Sequence, residues 1–287
     1  MSVQDQHDLN SLPDDWWQEE GHCKGFAKNL FSQHIIGLYA QVREKNEIRK
    51  VIYSGVLIEN NGILLWLTAG HVIDELREAE SKSEITLESL QWVDTFEEIG
   101  PAGIISVGKN RQMYSFTDKH TDIGIIKIFG LEAMNIRSNE NIRPIDGESL
   151  SNFRQIHPEG YHLVGFPNEL AGDNGGAFEA SFLCLPVQKT EYNDNWRTYE
   201  SRSDGSWNDP QDFYGQILSF AENLNGQPDS IKGMSGGPIF AIERNKLHVN
   251  KLFHRLIGIQ SRWVPTTRTI RAEPIDQILP LLAGIDP

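Results

Sequence analysis

Ser235 stands in the stretch Lys232-Gly233-Met234-Ser235-Gly236-Gly237-Pro238, a serine between glycines just ahead of the apolar run Ile239-Phe240-Ala241. A serine hydroxyl becomes a useful nucleophile only when a base removes its proton and nearby N–H groups stabilise the oxyanion it generates. Glycines allow the tight backbone that aims such N–H groups inward. A base is available at His71, in Leu67-Thr68-Ala69-Gly70-His71-Val72-Ile73, where a strand pattern gives way to a helical one. A carboxylate is available at Asp122, at the head of Asp122-Ile123-Gly124-Ile125-Ile126-Lys127-Ile128. An acid leading a buried strand needs a partner to offset its desolvation. Taken singly, each residue has a plain explanation as a turn former or a satisfied polar group. In the chain order His, Asp, Ser they make a candidate set for acyl transfer.

The elements that must position them are short strands. Ile35 to Val42, Lys50 to Glu59 and Ile63 to Thr68 are β-branched runs separated by polar turns, and Asn61-Gly62 is a strong hairpin signal. Val72 to Ala79 reads as one short helix. Glu84 to Val93, Gly103 to Gly108 and Asp122 to Phe129 are further strand candidates, so the first half is expected to be a barrel or sandwich of about six strands. Residues 130 to 160 are polar and turn-rich and read as a linker. A second β series follows at Tyr161 to Pro167, Ala177 to Val187, Gln211 to Phe220, Pro238 to Ile242, Leu256 to Trp263 and Thr267 to Ala272. A helix over residues 274–282 closes the chain, with Pro274 in its first turn. The expected organisation is an N-terminal extension (1–30), a first β unit (31–150) and a second (151–287). Within the second, the stretch 188–210 reads as an exposed acidic and aromatic insert, with a substrate-cleft rim as the functional alternative.

At 287 residues, 39% hydrophobic and 23% charged, the chain has the composition of an ordinary globular protein. Its formal charge of −14 disfavours nucleic acid or an anionic membrane as the main partner and favours basic peptides at long range. Two cysteines far apart, Cys23 and Cys184, form no disulfide framework, and residues 1–20 lack the pattern of a signal peptide. The expectation is a cytoplasmic protein without a membrane span.

The stretches Thr68-Ala69-Gly70-His71, Asp122-Ile123-Gly124-Ile125-Ile126-Lys127 and Gly233-Met234-Ser235-Gly236-Gly237-Pro238 resemble the three signature segments of chymotrypsin-like serine proteases. The chain order matches that family's. The resemblance extends over roughly residues 34 to 282 in organisation, with Val164-Gly165-Phe166-Pro167 resembling the opening of the second barrel in bacterial members. It implies an all-β fold of two six-stranded antiparallel barrels with a C-terminal helix. It also implies Ser235 as nucleophile, His71 as general base and acid, Asp122 as its orienter, and the N–H groups of Gly233 and Ser235 as the oxyanion hole.

Met234 replaces the aspartate that secreted trypsins carry before the nucleophile, and in this the chain resembles intracellular and HtrA-like members. Asp229-Ser230 resembles the base of trypsin's specificity pocket, with Ser261, Arg262 and Trp263 as one wall. Asp229 in a plain turn after Pro228 is the competing reading, and Trp263 is bulky for that position. The nine histidines show no paired ligand spacing, so no metal is expected, and no cofactor. The function expected is a serine endopeptidase acting on protein or peptide substrates, with a regulatory protein partner as an added expectation. The alternative is a protease-shaped peptide-binding protein or a latent protease.

Overall fold

A computed structural model describes residues 30–45, 47–82, 85–93, 105–108, 111–117, 121–168, 171–174, 177–180, 182–191, 211–218, 230–244 and 252–285. The extension with Trp16 and Trp17, most of the 188–210 insert, Cys23 and Asp229 lie outside them.

The N-terminal half is built from eight strands, β1 (Gly37–Glu44), β2 (Glu47–Tyr53), β3 (Val56–Asn60), β4 (Ile63–Ala69), β5 (Ile85–Val93), β6 (Ile105–Ser106), β7 (Gln112–Thr117) and β8 (Asp122–Ile128). Among the described residues they do not close into a second barrel. They form two four-stranded antiparallel sheets, ordered β2-β1-β5-β6 and β3-β4-β8-β7, that meet at an Ile35–Val56 bridge. The apolar run expected as one strand from Lys50 to Glu59 breaks at Ser54-Gly55, and that break lets the chain pass from one sheet to the other. The sheets share one core, in which Leu38, Trp66, Trp92 and Ile126 pack with the helix α1 (Gly70–Ser81). The β3–β4 hairpin turns at Asn61-Gly62 with both φ angles positive, 51° and 79°, as that dipeptide predicts.

The C-terminal half contains β9 (Gly160–Gly165), the hairpin β10 (Ala171–Asn174) with β11 (Ala177–Ala180), then β12 (Leu183–Lys189), β13 (Phe213–Ile217), β14 (Pro238–Arg244), β15 (Leu252–Val264) and β16 (Thr269–Pro274). Strands β12-β13-β16-β15-β14-β9 close into a six-stranded barrel. Residues 130–160, expected as a linker, include the helix α2 (Gly130–Ser138). The chain ends on α3 (Ile275–Ala283), with Pro274 just before its first residue rather than inside its first turn. Ile275, Ile278 and Leu282 of α3 join a cluster that also holds Val56, Leu67 and Ile125 from the first half and Phe240 and Leu256 from the second. The two halves therefore share one continuous apolar cluster.

Within that seam Phe31 stacks on Phe240 at 4.6 Å, and His34 Nε2 meets His254 Nε2 at 2.8 Å. His34 Nδ1 lies against the carbonyl of Arg143, which can only accept. His34 therefore carries its proton on Nδ1, and its Nε2 accepts from His254. Burial, the main cause in both rings, lowers His34 to about 4 and His254 to about 3. Their folded values lie below the unfolded 6.5, so their contribution is complete above pH 6.5 and is lost as pH falls toward the folded values. The expected loss is about 1.4 kcal/mol per pH unit for each ring in that window. An NMR titration should find both rings still neutral at pH 5, and the stability difference between wild type and His254→Gln should shrink on acidification. A normal titration of both rings would refute the assignment.

Candidate active site

Strand β4 ends at Ala69, whose side chain cannot cap the helix that begins at the next residue. The first N–H groups of a helix need an acceptor. Asp122 Oδ1 supplies one, accepting from the backbone N–H of His71 at 2.8 Å, while Oδ2 meets His71 Nδ1 at 2.8 Å. One buried carboxylate thus caps α1 and orients the imidazole. Gly70 makes this approach possible, because a Cβ there would lie 2.9 Å from Asp122 Oδ1 and 2.6 Å from Thr117 Oγ1. The α1 pattern Val72, Ile73, Leu76 and Ala79 turns one face into the core and leaves His71 facing outward, its side chain 38% exposed.

Burial works against a charged His71, yet the hydrogen bond and charge of Asp122, helped by Glu75, outweigh it and raise its pKa above 6.5. Burial likewise works against a charged Asp122. The bonds from the His71 ring and backbone, together with Arg262, outweigh it and hold this carboxyl below its usual range.

Ser235 and His71 line the same cleft, of about 550 Å³, together with Gly233 and Asn168. No hydrogen bond joins the Ser235 hydroxyl to the imidazole. Loose nucleophile–base contacts are common in unliganded sites.

The loop before Ser235 is anchored peptide by peptide. The Lys232 carbonyl accepts from Asn168 N–H and the Met234 carbonyl accepts from Gly237 N–H, both at 2.8 Å. In a trans peptide the N–H points opposite to its carbonyl, so these two anchors turn the N–H groups of Gly233 and Ser235 the other way. Neither N–H meets an acceptor among the described residues, whereas those of Lys232, Met234, Gly236 and Gly237 all do. Gly233 holds φ at +98°, a conformation that favours glycine, and a Cβ there would strike Asn168.

The intervening peptide is fixed from the other half of the molecule. Ser54 Oγ donates to the Gly233 carbonyl at 3.2 Å and accepts from Phe166 N–H at 2.8 Å, while the Ser54 carbonyl accepts from Thr68 Oγ1 at 2.8 Å. Ser54 is fully buried and escaped the sequence reading. The break it makes in an otherwise continuous apolar run is the signal that could have found it.

Of the residues expected to form a specificity pocket, Ser230, Ser261 and Trp263 are not among those lining this cleft, and Asp229 lies outside the described residues. Ser230 Oγ accepts from Lys232 N–H at 3.0 Å, Ser261 is buried, and Trp263 packs on the barrel core with Ile270. Met234 is fully buried in that same core. Among the described residues no three His, Cys, Asp or Glu side chains converge as metal ligands would, and no helix is long and apolar enough to cross a membrane.

No protein-family model matches the chain, and no curated protein matches it. Among solved structures it is similar to the Rv3671c protease of M. tuberculosis in its active form, at 13% identity over 89% of this chain and 83% of that one, with a TM-score of 0.41. A scabies mite inactivated protease paralogue is 14% identical over 89% of this chain and 94% of its own, with a TM-score of 0.48. A thermostable serine protease from an extremophilic microorganism is 11% identical over 89% and 99%, with a TM-score of 0.46. Likeness at this level decides nothing about chemistry.

Removing the Ser54 hydroxyl would leave the buried Phe166 N–H without an acceptor. Ser54→Ala is therefore expected to cost about 1–3 kcal/mol of stability, read as a lowered denaturant midpoint with unchanged slope. A change too small to measure would mean that Ser54 does not hold the two halves in register.

Proposed function

We propose that this chain is a serine endopeptidase of the chymotrypsin-like kind. The observation that supports this is the meeting, in one cleft, of an Asp122-oriented imidazole with Ser235, beside the N–H groups of Gly233 and Ser235, which meet no acceptor among the described residues. His71 takes the Ser235 proton at Nε2 as Oγ attacks the substrate carbonyl. The oxyanion settles against the N–H groups of Gly233 and Ser235. His71 then returns its proton to the leaving amine, and water repeats the sequence on the acyl-enzyme. Asp122 keeps Nδ1–H fixed and stabilises the imidazolium. Every step uses side chains and backbone alone. Ser230, Ser261 and Trp263, with Asp229, remain the proposed determinants of preference before the cleaved bond. The reaction is assigned to the cytoplasm, under the control of a protein partner.

The alternative is a latent or purely binding protein on the same scaffold. A fluorophosphonate probe separates the two. The wild type should label and Ser235→Ala should not; absence of labelling in the presence of peptide substrate would reject constitutive catalysis. His71→Ala should lower turnover by several orders of magnitude, and a loss below about tenfold would remove His71 from the mechanism.

Since His71 must be neutral to act as base and its pKa is raised, kcat/KM should climb with pH along a limb centred above 6.5. Asp122→Asn should move that limb to lower pH while cutting the rate. A limb unmoved by Asp122→Asn would dissociate the carboxylate from the base.

A further inference from the structure

The charges lining the cleft run against those of the chain. The whole sequence holds 40 acidic against 26 basic residues. The described residues lining the cleft include three cations, Arg49, Lys50 and Lys232, and one carboxylate, Glu75. That carboxylate accepts from the buried Tyr53 hydroxyl at 3.2 Å and keeps its charge, which leaves the described lining with more cations than anions, three against one. Arg49 and Lys232 are exposed to the cleft's solvent.

We infer that the cleft selects acidic side chains in the peptide segment that follows the scissile bond. The inference rests on the proposed roles of Ser235 and His71. A base that returns its proton to the leaving amine must face the segment that departs. The wall beside His71 is made by α1 and by β2, which carries Arg49, Lys50 and Tyr53. Lys232 adjoins the Gly233 N–H and so borders the carbonyl end of the same bond. A carboxylate one or two residues past the cut therefore enters a region with an excess of positive charge. The overall −14 opposes this only weakly, because at about 0.15 M salt charges beyond about 8 Å are largely screened. The distant field and the cleft thus favour different peptides, and the cleft decides which of them is held against the reacting groups.

Two measurements test this. In a digest of a mixed peptide library, sequencing of new N-termini should show Asp or Glu enriched over Lys or Arg by about three- to tenfold in the first two positions after the cut. The enrichment should vanish or invert in the Arg49→Glu, Lys232→Glu double variant. In the second, Ser235→Ala protein is titrated with fluorescent alanine-rich octapeptides carrying either two glutamates, two lysines or neither. The glutamate peptide should bind several-fold tighter than the neutral one at about 0.15 M salt, and charge reversal should abolish the difference. Cleavage without acidic enrichment, or equal binding of acidic and neutral peptides, overturns the inference. Acid-selective binding by a wild type that cleaves nothing would instead remove the catalytic reading and leave the acidic-peptide site standing.

Discussion

The Asp122 carboxylate is the group on which the rest of the site depends. Its two oxygens are both committed to one residue, the backbone N–H and the ring of His71. The first bond closes the uncapped start of α1 and the second sets the imidazole, so the position of the helix and the direction of the ring are fixed by the same atom group. A negative charge is also favourable at a helix N-terminus. Solvation alone would not hold an ionised carboxylate at this depth. The surrounding sequence serves this arrangement, with Gly70 leaving room above the carboxylate and β8 placing Asp122 at its end by pairing with β4 from Ile123 to Ile128 and with β7 at Thr117.

The loop before Ser235 shows a second kind of economy. Its N–H groups are not aimed by contacts of their own but by anchoring the carbonyls on their far side. Asn168 holds one of these carbonyls, Gly237 another, and Ser54 fixes the peptide between. Ser54 belongs to the first half, whereas Asn168 and the loop belong to the second. The geometry that would receive an oxyanion is therefore a property of how the halves seat against each other. The shared core of Val56, Leu67, Phe240, Leu256 and Ile275 joins the two halves beside it.

Much of this was legible in the sequence because strong local patterns coincided with buried positions. Asp122 to Ile128 reads as an apolar strand and is buried almost throughout, and Asn61-Gly62 dictates its own turn. The elements that escaped are those whose faces carry little pattern. In β7, Gln112 to Thr117 mixes polar and aromatic residues that are only partly buried at a sheet edge. In α2, only Ala133 and Ile136 are buried while Leu131 and Met134 stay exposed, so no helical period emerges. The closed C-terminal barrel agrees with what the resemblance implied, although the run Ala177 to Val187 divides between β11 and β12. The division of the first half into two sheets depends on Ser54 and Gly55, whose role is tertiary and leaves only a break in a run. His71, Asp122 and Ser235 could be picked out because their neighbours form motifs. Asn168 could not, since its contribution to the site is a backbone N–H that any residue but proline possesses.

A buried charge cluster in the closed barrel extends the electrostatics beyond the cleft. Arg271 Nε meets Asp212 at 2.5 Å and its Nη2 lies 3.1 Å from Glu273, with all three groups shielded from water. Two carboxylates cannot both be ionised against one guanidinium at low dielectric without leaving an unpaired charge. Burial, with the charges of Asp212 and Asp122 added and Arg271 opposing, pushes Glu273 up to about 8. Asp122 is held in the opposite direction by His71. Two buried acids are thus shifted in opposite directions, and the charge of one adds to the rise of the other. The charge of Asp122, held by His71, thus reaches Glu273 in the barrel interior as a smaller cause beside burial and Asp212.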